Sequence, residues 1–246
     1  MLKIERTEVV GLEAAIREMH YAIAPCEKSD GGFGCGNNNE YFCDNCSSSF
    51  HCTSLDTTYN IGPNDFALIR CLRNSDADYR KFLRTITVYV DITAPLYWWM
   101  GFDVPTAGMT TNLDGIMRRI TDKEFTLSDF SCEYLDQTAF VQRSAKTLEK
   151  VIGDLNYYRE YYISLAEQHV CGSDKRANEI LWQMIQLLPS SYNQKKMVML
   201  NYEILMDLYE SHQTNKFDEW STFCNWIEVL PYSELIIIKE NAYAEN

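Results

Sequence analysis

The chain has 246 residues, of which 46% are hydrophobic and 13% aromatic, and its formal net charge is −13. This composition is typical of a globular protein with a sizeable core and excludes an intrinsically disordered chain. The negative charge argues against a nucleic-acid-binding surface, which needs an excess of Lys and Arg, whereas a small anionic ligand needs only a few local cations. No run of about 18 uncharged apolar residues occurs, so we expect no membrane span. Charges in "MLKIERTEVVGLEAAIREM" interrupt the apolar core that a signal peptide needs, which predicts a cytoplasmic protein.

The first part of the chain contains predicted strands and short helices. "LKIERTEVV" is predicted to be a strand, and "GLEAAIREMHYAI" a helix. Residues 25–63 are rich in Gly, Asn, Ser and Cys, which indicates a long loop or insertion. Two short helices follow, one capped by Asn64 or Asp65 and one beginning at Asp76. Apolar and polar residues then alternate in "TITVYVDI", which predicts a strand that ends near Pro95.

The second half is predicted to be helical. Apolar residues spaced by three and four from Val141 to Leu165 predict one long helix. Three further amphipathic helices are predicted in "SDKRANEILWQMIQLLP", "YNQKKMVMLNYEILMDLYESH" and "FDEWSTFCNWIEVL". Strands followed by helices predict an α+β fold: a single domain over residues 1–246, with a small antiparallel sheet, a helical C-terminal half and the insertion at residues 25–63.

The insertion carries a cluster of cysteines. The chain has nine cysteines, an odd number, and in a reducing compartment a disulfide framework is the less favoured interpretation. Cys43 and Cys46 form a Cys-x2-Cys pair, flanked by Cys35 and Cys52. Thiolates at this spacing suit a tetrahedral structural zinc site, in which His51 is an alternative fourth ligand. The alternative is an insertion that carries free thiols.

Three further features can be interpreted as structural or functional. The aromatic block "PLYWWM" indicates either core packing or a binding wall at the end of the strand, where rings stack on a planar ligand. Asn201 interrupts an apolar stretch and needs partners for its amide, from either a neighbouring backbone or a ligand. His212 lies near the predicted end of the same helix, where it is either simply exposed or a positive charge at the helix C-terminus.

Together these segments resemble the flavin-dependent thymidylate synthases, the alternative thymidylate synthase family of bacteria and phages. In that family a strand runs through a Pro into an aromatic stretch, and a signature of Arg-His-Arg followed by spaced Ser, Asn, Ser and Arg-Tyr comes next. A later helix ends in Leu-Pro, and the next one carries an Asn-x-Arg and, further on, another Arg. Here "TITVYVDI" leads to Pro95 and "LYWWMGF", and Leu188-Pro189 precede Asn201. The resemblance covers residues 1–24 and about 64–235.

The chain departs from the family at the signature residues. Val104, Pro105 and Thr106 stand where the Arg-His-Arg would fall. Glu203 stands at the Arg position of the Asn-x-Arg, and His212 at the later Arg that binds the substrate phosphate in the family. Losing one phosphate-binding Arg costs about 1.5–3 kcal/mol of binding free energy. The site residues that the resemblance suggests are Asn201 by match, and His212, Asn112, Thr106 and Thr110 at substituted positions, with Arg80 and Arg84 among the replacement cations.

The resemblance implies a homo-oligomeric enzyme, a tetramer in the family, in a bacterium or a phage-infected host. It would convert dUMP to dTMP with FAD, methylenetetrahydrofolate as carbon donor and NADPH as reductant. Because the signature residues are substituted, the alternative is a non-catalytic protein on the same fold that binds a nucleotide or another protein. A structural oligomer without a ligand is a third interpretation.

Overall fold

The computed structural model describes residues 2–22, 29–35, 57–76, 78–102, 110–111, 120–135, 143–167 and 173–237. Its main sheet has four antiparallel strands in the order β1-β4-β6-β5. These strands are β1 (Lys3–Val10), β4 (Thr87–Pro95), β5 (Thr110–Thr111) and β6 (Asn193–Asn201). A separate hairpin pairs β2 (Gly32–Cys35) with β3 (Thr57–Asn60). The described residues contain no helix that is long and apolar enough to cross a membrane.

Helices follow most of the strands. They are α1 (Leu12–Ala22), α2 (Pro63–Arg73), α3 (Leu96–Phe102), α4 (Arg143–Glu167), α5 (Ser173–Leu187), α6 (Tyr202–His212) and α7 (Asp218–Glu228). Short 3-10 helices cover Tyr79–Arg84, Leu127–Asp129 and Ser233–Leu235. The mixture of helices with a small antiparallel sheet confirms the predicted α+β class.

The strand predicted from alternation is the centre of the sheet. In β4, Val88, Val90 and Ile92 are each at most 1% exposed, while Tyr89 on the opposite face is 37% exposed. Because successive side chains of a strand point to opposite faces, this alternation buries one face of the sheet. Pro95 ends the strand, as predicted, and α3 begins at the next residue.

The prediction of one continuous helix in "YNQKKMVMLNYEILMDLYESH" is wrong. Residues 193–201 form strand β6, which pairs with the whole of β4, and the helix begins only at Tyr202. The inward-facing residues of β6 include Gln194 and Lys196, both buried, together with Val198 and Leu200. Two polar side chains on the buried face hide the period-two hydrophobic pattern of this strand. The sheet therefore takes strands from both halves of the chain.

Glycine is required where β1 turns into α1. Gly11 has a φ of +94°, which side-chain-bearing residues rarely adopt. A Cβ at this position would lie 2.2 Å from the carbonyl oxygen of Thr85. The close approach places the start of α1 against the segment that leads into β4.

The described part of the predicted insertion is a hairpin tied to α2 and α1. The carboxylate of Asp30 accepts hydrogen bonds from the backbone N–H groups of Asn64 and Asp65, at 3.0 and 3.1 Å. Asp65, which is fully buried, accepts from Ser29 Oγ at 2.8 Å and from the N–H of Gly31 at 2.9 Å. The cap of α2 therefore differs from the prediction: the helix begins at Pro63, Gly62 is its N-cap residue, and the capping carboxylate comes from Asp30.

A buried pair joins the same carboxylate to α1. Nε2 of His20 lies 2.6 Å from Oδ1 of Asp65, and the side chains are 4% and 0% exposed. Because the carboxylate binds Nε2, the free ring nitrogen is Nδ1, which is buried without a partner among the described residues. This network fastens the base of the insertion to two helices.

The main core lies on the buried face of the sheet. Trp98 is its largest fully buried side chain and packs against Phe102, Trp220 and Phe223, with ring centroids 4.7, 5.0 and 5.7 Å away. Helix α6 runs along this core and buries Leu205, among other residues. Burying an aromatic side chain of this size removes on the order of 200 Å² from water, so the cluster dominates the local packing energy.

A second core forms under helices α4 and α5. Phe125, Phe130 and Tyr192 make a ring cluster with centroid distances of 5.5–6.4 Å. Asn156 of α4 fixes the segment that carries Phe125: its Oδ1 accepts from the N–H of Phe125 at 2.8 Å, and its Nδ2 donates to the carbonyl of Phe125 at 2.9 Å. The predicted α4 and α5 helices thus exist and enclose this cluster.

Candidate functional site

The end of the sheet where β4 begins and β6 ends gathers the matched and replacement residues. Asn201, the last residue of β6, pairs with Thr87, the first residue of β4. The side-chain oxygen of Asn201 accepts a hydrogen bond from the N–H of Ile204 at 2.9 Å, so Asn201 is the N-cap of α6. Its side chain is buried, with 7% exposure. Of the two alternatives for Asn201, the structure shows a cap to the neighbouring backbone.

Arg84 lies in this corner but is already paired. Both of its forked N–H groups donate to the carboxylate of Glu203: Nε to Oε2, and Nη2 to Oε1 at 3.1 Å. The hydrogen bond that Arg84 donates to Glu203 raises the pKa of Arg84. A forked pairing with a carboxylate has the same geometry as pairing with a phosphate, so Glu203 occupies the donors that an anion would use.

The exposed face of α6 is acidic near this pair. Glu203, Asp207 and Glu210 follow at spacings of four and three, which places them on neighbouring turns of one face. Partial burial, with repulsion from Glu203 and Glu210, raises the pKa of Asp207, while Arg80 opposes that shift. The acidic side chains of this face therefore interact with the cations of the corner: Glu203 with Arg84, and Asp207 with Arg80.

Arg80 and Arg73 are the other guanidinium groups here. Arg73 is 8% exposed and donates to the carbonyl oxygens of Leu235 and Ile236 at 2.7 and 2.8 Å. Burial, together with the charge of Arg80, lowers the pKa of Arg73. Nε of Arg80 is buried and has no acceptor in the part of the chain that the structure describes. Arg73 thus anchors the C-terminal segment, and Arg80 lies between that anchor and the acidic face.

His212 lies at the far end of α6 from Asn201 and does not join this corner. Its ring stacks on Trp220, with centroids 3.5 Å apart and planes inclined by 18°. Nδ1 of His212 lies 3.0 Å from the carbonyl oxygen of Leu208 in the last turn of the helix. These contacts give His212 a structural role in the helix end and in the aromatic cluster.

The tryptophans of the aromatic block are core residues and do not form a binding wall. Trp98 and Trp99 are only 2% and 4% exposed, which favours the packing alternative. The ammonium group of Lys196 lies 4.3 Å from the ring centroid of Trp99, a cation–π contact that accounts for a lysine on the buried face. Outward-facing members of the block are Tyr97, which donates to the buried carboxylate of Glu219, and Met100, which is 77% exposed.

Several predicted site residues lie wholly or partly outside the description. Thr110 is in β5 and pairs with Met199, and its side chain is not described. Thr106 and Asn112, with the substituted signature, lie outside the described residues, as do Cys43, Cys46 and Cys52. Cys35 ends strand β2 and pairs with Thr57 of β3. No group of three or more His, Cys, Asp or Glu that could hold a metal occurs among the described residues, and the zinc site stays a prediction.

The pairing of Arg84 with Glu203 was not predicted. The two residues are 119 positions apart, and no sequence pattern connects them. Both positions were noted separately: Arg84 as a replacement cation, and Glu203 as the acid at a family Arg position. The acid Glu203 at a position where the family has an Arg was therefore the available sign that a cation elsewhere in the chain, here Arg84, would pair with it.

Comparisons with known proteins show similarity in fold and none in sequence family. No family model matches the chain, and no curated protein matches it in sequence. A flavin-dependent thymidylate synthase of Helicobacter pylori complexed with FAD and dUMP is 15% identical, with a TM-score of 0.55, and the match covers 95% of this chain and 97% of that one. A second structure of the Helicobacter pylori enzyme with FAD and dUMP is 14% identical, with a TM-score of 0.51, covering 96% of each chain.

A UMP/dUMP methylase of Streptomyces cacaoi bound with 5-Br UMP is 13% identical, has a TM-score of 0.49, and covers 96% of this chain and 93% of that one. The two Helicobacter pylori structures show that this chain has the fold of the flavin-dependent thymidylate synthases over almost its whole length. This confirms the fold that the resemblance implied.

Proposed function

We propose that the chain is a flavin-dependent thymidylate synthase-like protein that binds a uridine nucleotide, with FAD as its cofactor. The observation that carries the proposal is the fold agreement over 95% of this chain with a synthase structure that holds FAD and dUMP. Asn201 and Glu203 stand at the positions that the resemblance aligns with the Asn-x-Arg of the family, and Glu203 is paired with Arg84. Reaction chemistry does not follow from the fold, since function depends on the site residues.

The described side chains do not fit the phosphate groups of these ligands. Arg84 is paired with Glu203, and Arg73 is turned to backbone carbonyls. Glu203 places a negative charge where the family has an Arg, and like charges repel more strongly in partly buried positions. These residues therefore support no reaction step on the flavin or the nucleotide.

This charge arrangement favours a second candidate: a protein that binds the nucleotide without methylating it. The pairing of Glu203 with Arg84 keeps the corner folded and ordered when no ligand is bound. An enzyme needs its charged groups free to stabilise the transition state, and a pair satisfied in the free protein does not supply that stabilisation. Binding through the uracil and ribose needs no such cation.

The test is an absorbance spectrum of the purified protein, repeated after adding FAD and then dUMP, with CMP as the matched control nucleotide. A flavin band that shifts with dUMP and not with CMP supports the proposal. Formation of dTMP on adding methylenetetrahydrofolate and NADPH then assigns catalysis, and its absence assigns the second candidate. A protein that binds neither FAD nor dUMP, with isothermal titration calorimetry as the second readout, would overturn both.

The homo-oligomer and the zinc site belong to the same proposal. We expect a tetramer, measured by size-exclusion chromatography with light scattering, and a monomer at micromolar concentration would contradict this.

We also expect about one zinc ion per chain, because four thiolates close a tetrahedral site. Metal analysis of the wild type and of Cys43→Ser, with Cys71→Ser as the matched control outside the insertion, would test this, and equal zinc in all three proteins would refute the assignment.

A further inference from the structure

A cleft of about 640 Å³ lies where strand β1 turns into helix α1. Its walls are residues 9–14 of this turn, residues 59–60 of the hairpin at the base of the insertion, and residues 231–232 near the C-terminus. Small-molecule sites in proteins have volumes of about 300–1,000 Å³ and are mostly apolar with a few polar groups. Neither Arg84 nor Glu203 lines the cleft, so it is separate from the corner described above.

Two tyrosines and several aliphatic residues line the cleft. The tyrosines are Tyr59 and Tyr232, and the aliphatic residues include Val9, Leu12 and Pro231. Aromatic and aliphatic side chains together suit a flat ring, because a planar ligand gains contact area by packing on an aromatic ring. The shape and lining thus favour a planar aromatic ligand over a flexible chain.

Tyr232 is held in its position at a conformational cost. Its backbone has a φ of 53° and a ψ of 40°, a left-handed conformation that is uncommon for a bulky residue. The phenol oxygen accepts a hydrogen bond from the N–H of Ile61 at 2.8 Å, and the ring packs on Phe66 with centroids 6.4 Å apart. Strained residues persist where the surrounding contacts fix them, and they cluster at binding sites.

The polar groups of the cleft are acidic or neutral. Glu13 contributes a carboxylate and Asn60 an amide, and no Lys, Arg or His occurs among the described residues of the wall. The nearest cation to Glu13 is Arg17, whose Nη1 is 4.0 Å from the carboxylate, with both side chains more than half exposed. An acceptor-rich wall without a cation disfavours a phosphate or a carboxylate and suits a ligand that donates N–H groups.

We propose that this cleft binds a neutral, planar heteroaromatic ring that carries an amino group. The ring packs against Tyr59 and Tyr232, and the amino group donates to Glu13. Tyr59 and Asn60 belong to the hairpin of the insertion, so the Cys-rich segment supplies one wall of the site. The proposal does not rest on the function proposed above, because it uses none of the same side chains.

Adenine is the probe, and benzoate, which is planar but anionic, is the counter-probe. Isothermal titration calorimetry of the full chain should give a dissociation constant for adenine on the order of 1 mM, as expected of so small a ligand. Benzoate should bind at least about tenfold more weakly, because it brings a negative charge next to Glu13. Failure of adenine to bind, or equal binding of benzoate, would overturn the proposal.

Variants locate the site. Ala14→Trp and Val10→Trp each place a bulky side chain in the cleft, and each should abolish adenine binding while the far-ultraviolet circular dichroism is kept. Glu13→Gln should weaken binding about fivefold, since a charged acceptor makes roughly twice as strong a hydrogen bond as a neutral one. Glu149→Gln, on the exposed surface of α4, is the matched control and should change nothing. Adenine binding that survives both tryptophan variants would refute this location.

Discussion

Replacing Glu203 by Gln should turn the Arg84 corner into a phosphate-binding site. The carboxylate accepts from two N–H groups of Arg84, and its side chain is 19% exposed while that of Arg84 is 54% exposed. Gln keeps the shape of the side chain and one acceptor oxygen but removes the negative charge. The guanidinium of Arg84 then has donors free for an anion.

The magnitude follows from two separate effects. A pair with one partner more than half exposed contributes about 0.2–1 kcal/mol to folding, so the variant should remain folded. A hydrogen bond from a charged donor to a phosphate contributes about 1.5–3 kcal/mol, and about 1.4 kcal/mol corresponds to a tenfold change in affinity. We therefore expect dUMP to bind Glu203→Gln about 10- to 100-fold more tightly than it binds the wild type.

Calorimetric titration with dUMP and with deoxyuridine measures the effect. The gain should occur with dUMP alone, because deoxyuridine lacks the phosphate, and it should decrease with added salt. Glu210→Gln is the matched control, since it lies on the same acidic face of α6 but does not contact Arg84 in the described hydrogen bonds. If Glu203→Gln binds dUMP no better than the wild type, or if the double variant with Arg84→Ala keeps the gain, this account of the corner is wrong.

Three further predictions concern stability and reactivity. Asn201→Ala removes the cap of α6 and should lower the free energy of unfolding by about 1 kcal/mol in urea titrations, whereas Asn201→Ser, which keeps a capping oxygen, should lose less; equal losses would exclude capping as the cause. Asp65→Ala leaves the buried His20 without an acceptor and also removes the acceptor of Ser29 and Gly31, so it should cost about 3–5 kcal/mol, measured in the same way against the exposed control Asp76→Ala; a loss below about 1 kcal/mol would contradict the network around Asp65. Burial, with the nearby Glu228, raises the pKa of the Cys224 thiol to about 11, so at pH 8 less of it is thiolate than of an ordinary cysteine. Peptide mapping after iodoacetamide treatment should therefore find Cys224 modified far more slowly than the exposed Cys71, with a rate that still rises above pH 9; comparable rates at pH 8 would refute this.

The predictions that were confirmed are those in which the local pattern and the tertiary environment agree. The alternation in "TITVYVDI" reports a strand with one buried face, and β4 has that arrangement. The spacing of apolar residues in α4, α5 and α7 reports helices that pack on one side. The layout of strand, Pro95, aromatic block and Leu-Pro was sufficient to indicate the fold.

Prediction from the sequence was wrong where a polar side chain occupies a buried position. Gln194 and Lys196 face the core from β6, because the ring of Trp99 accepts the lysine charge, and a hydrophobic pattern cannot anticipate that contact. Asn64 or Asp65 was predicted to cap the helix, but Asp65 is instead a buried acceptor of three hydrogen bonds.

What the sequence determined by itself is the fold class, most elements and the loss of the family's signature residues. Only the tertiary structure decided how the remaining charges are used, because pairing depends on distances between residues far apart in the chain. The fold places Glu203 against the candidate cation Arg84 and Trp220 against the candidate residue His212, and neither contact follows from the local sequence. Local sequence sets which side chains are present and which face they share; long-range packing sets which of them are free to act.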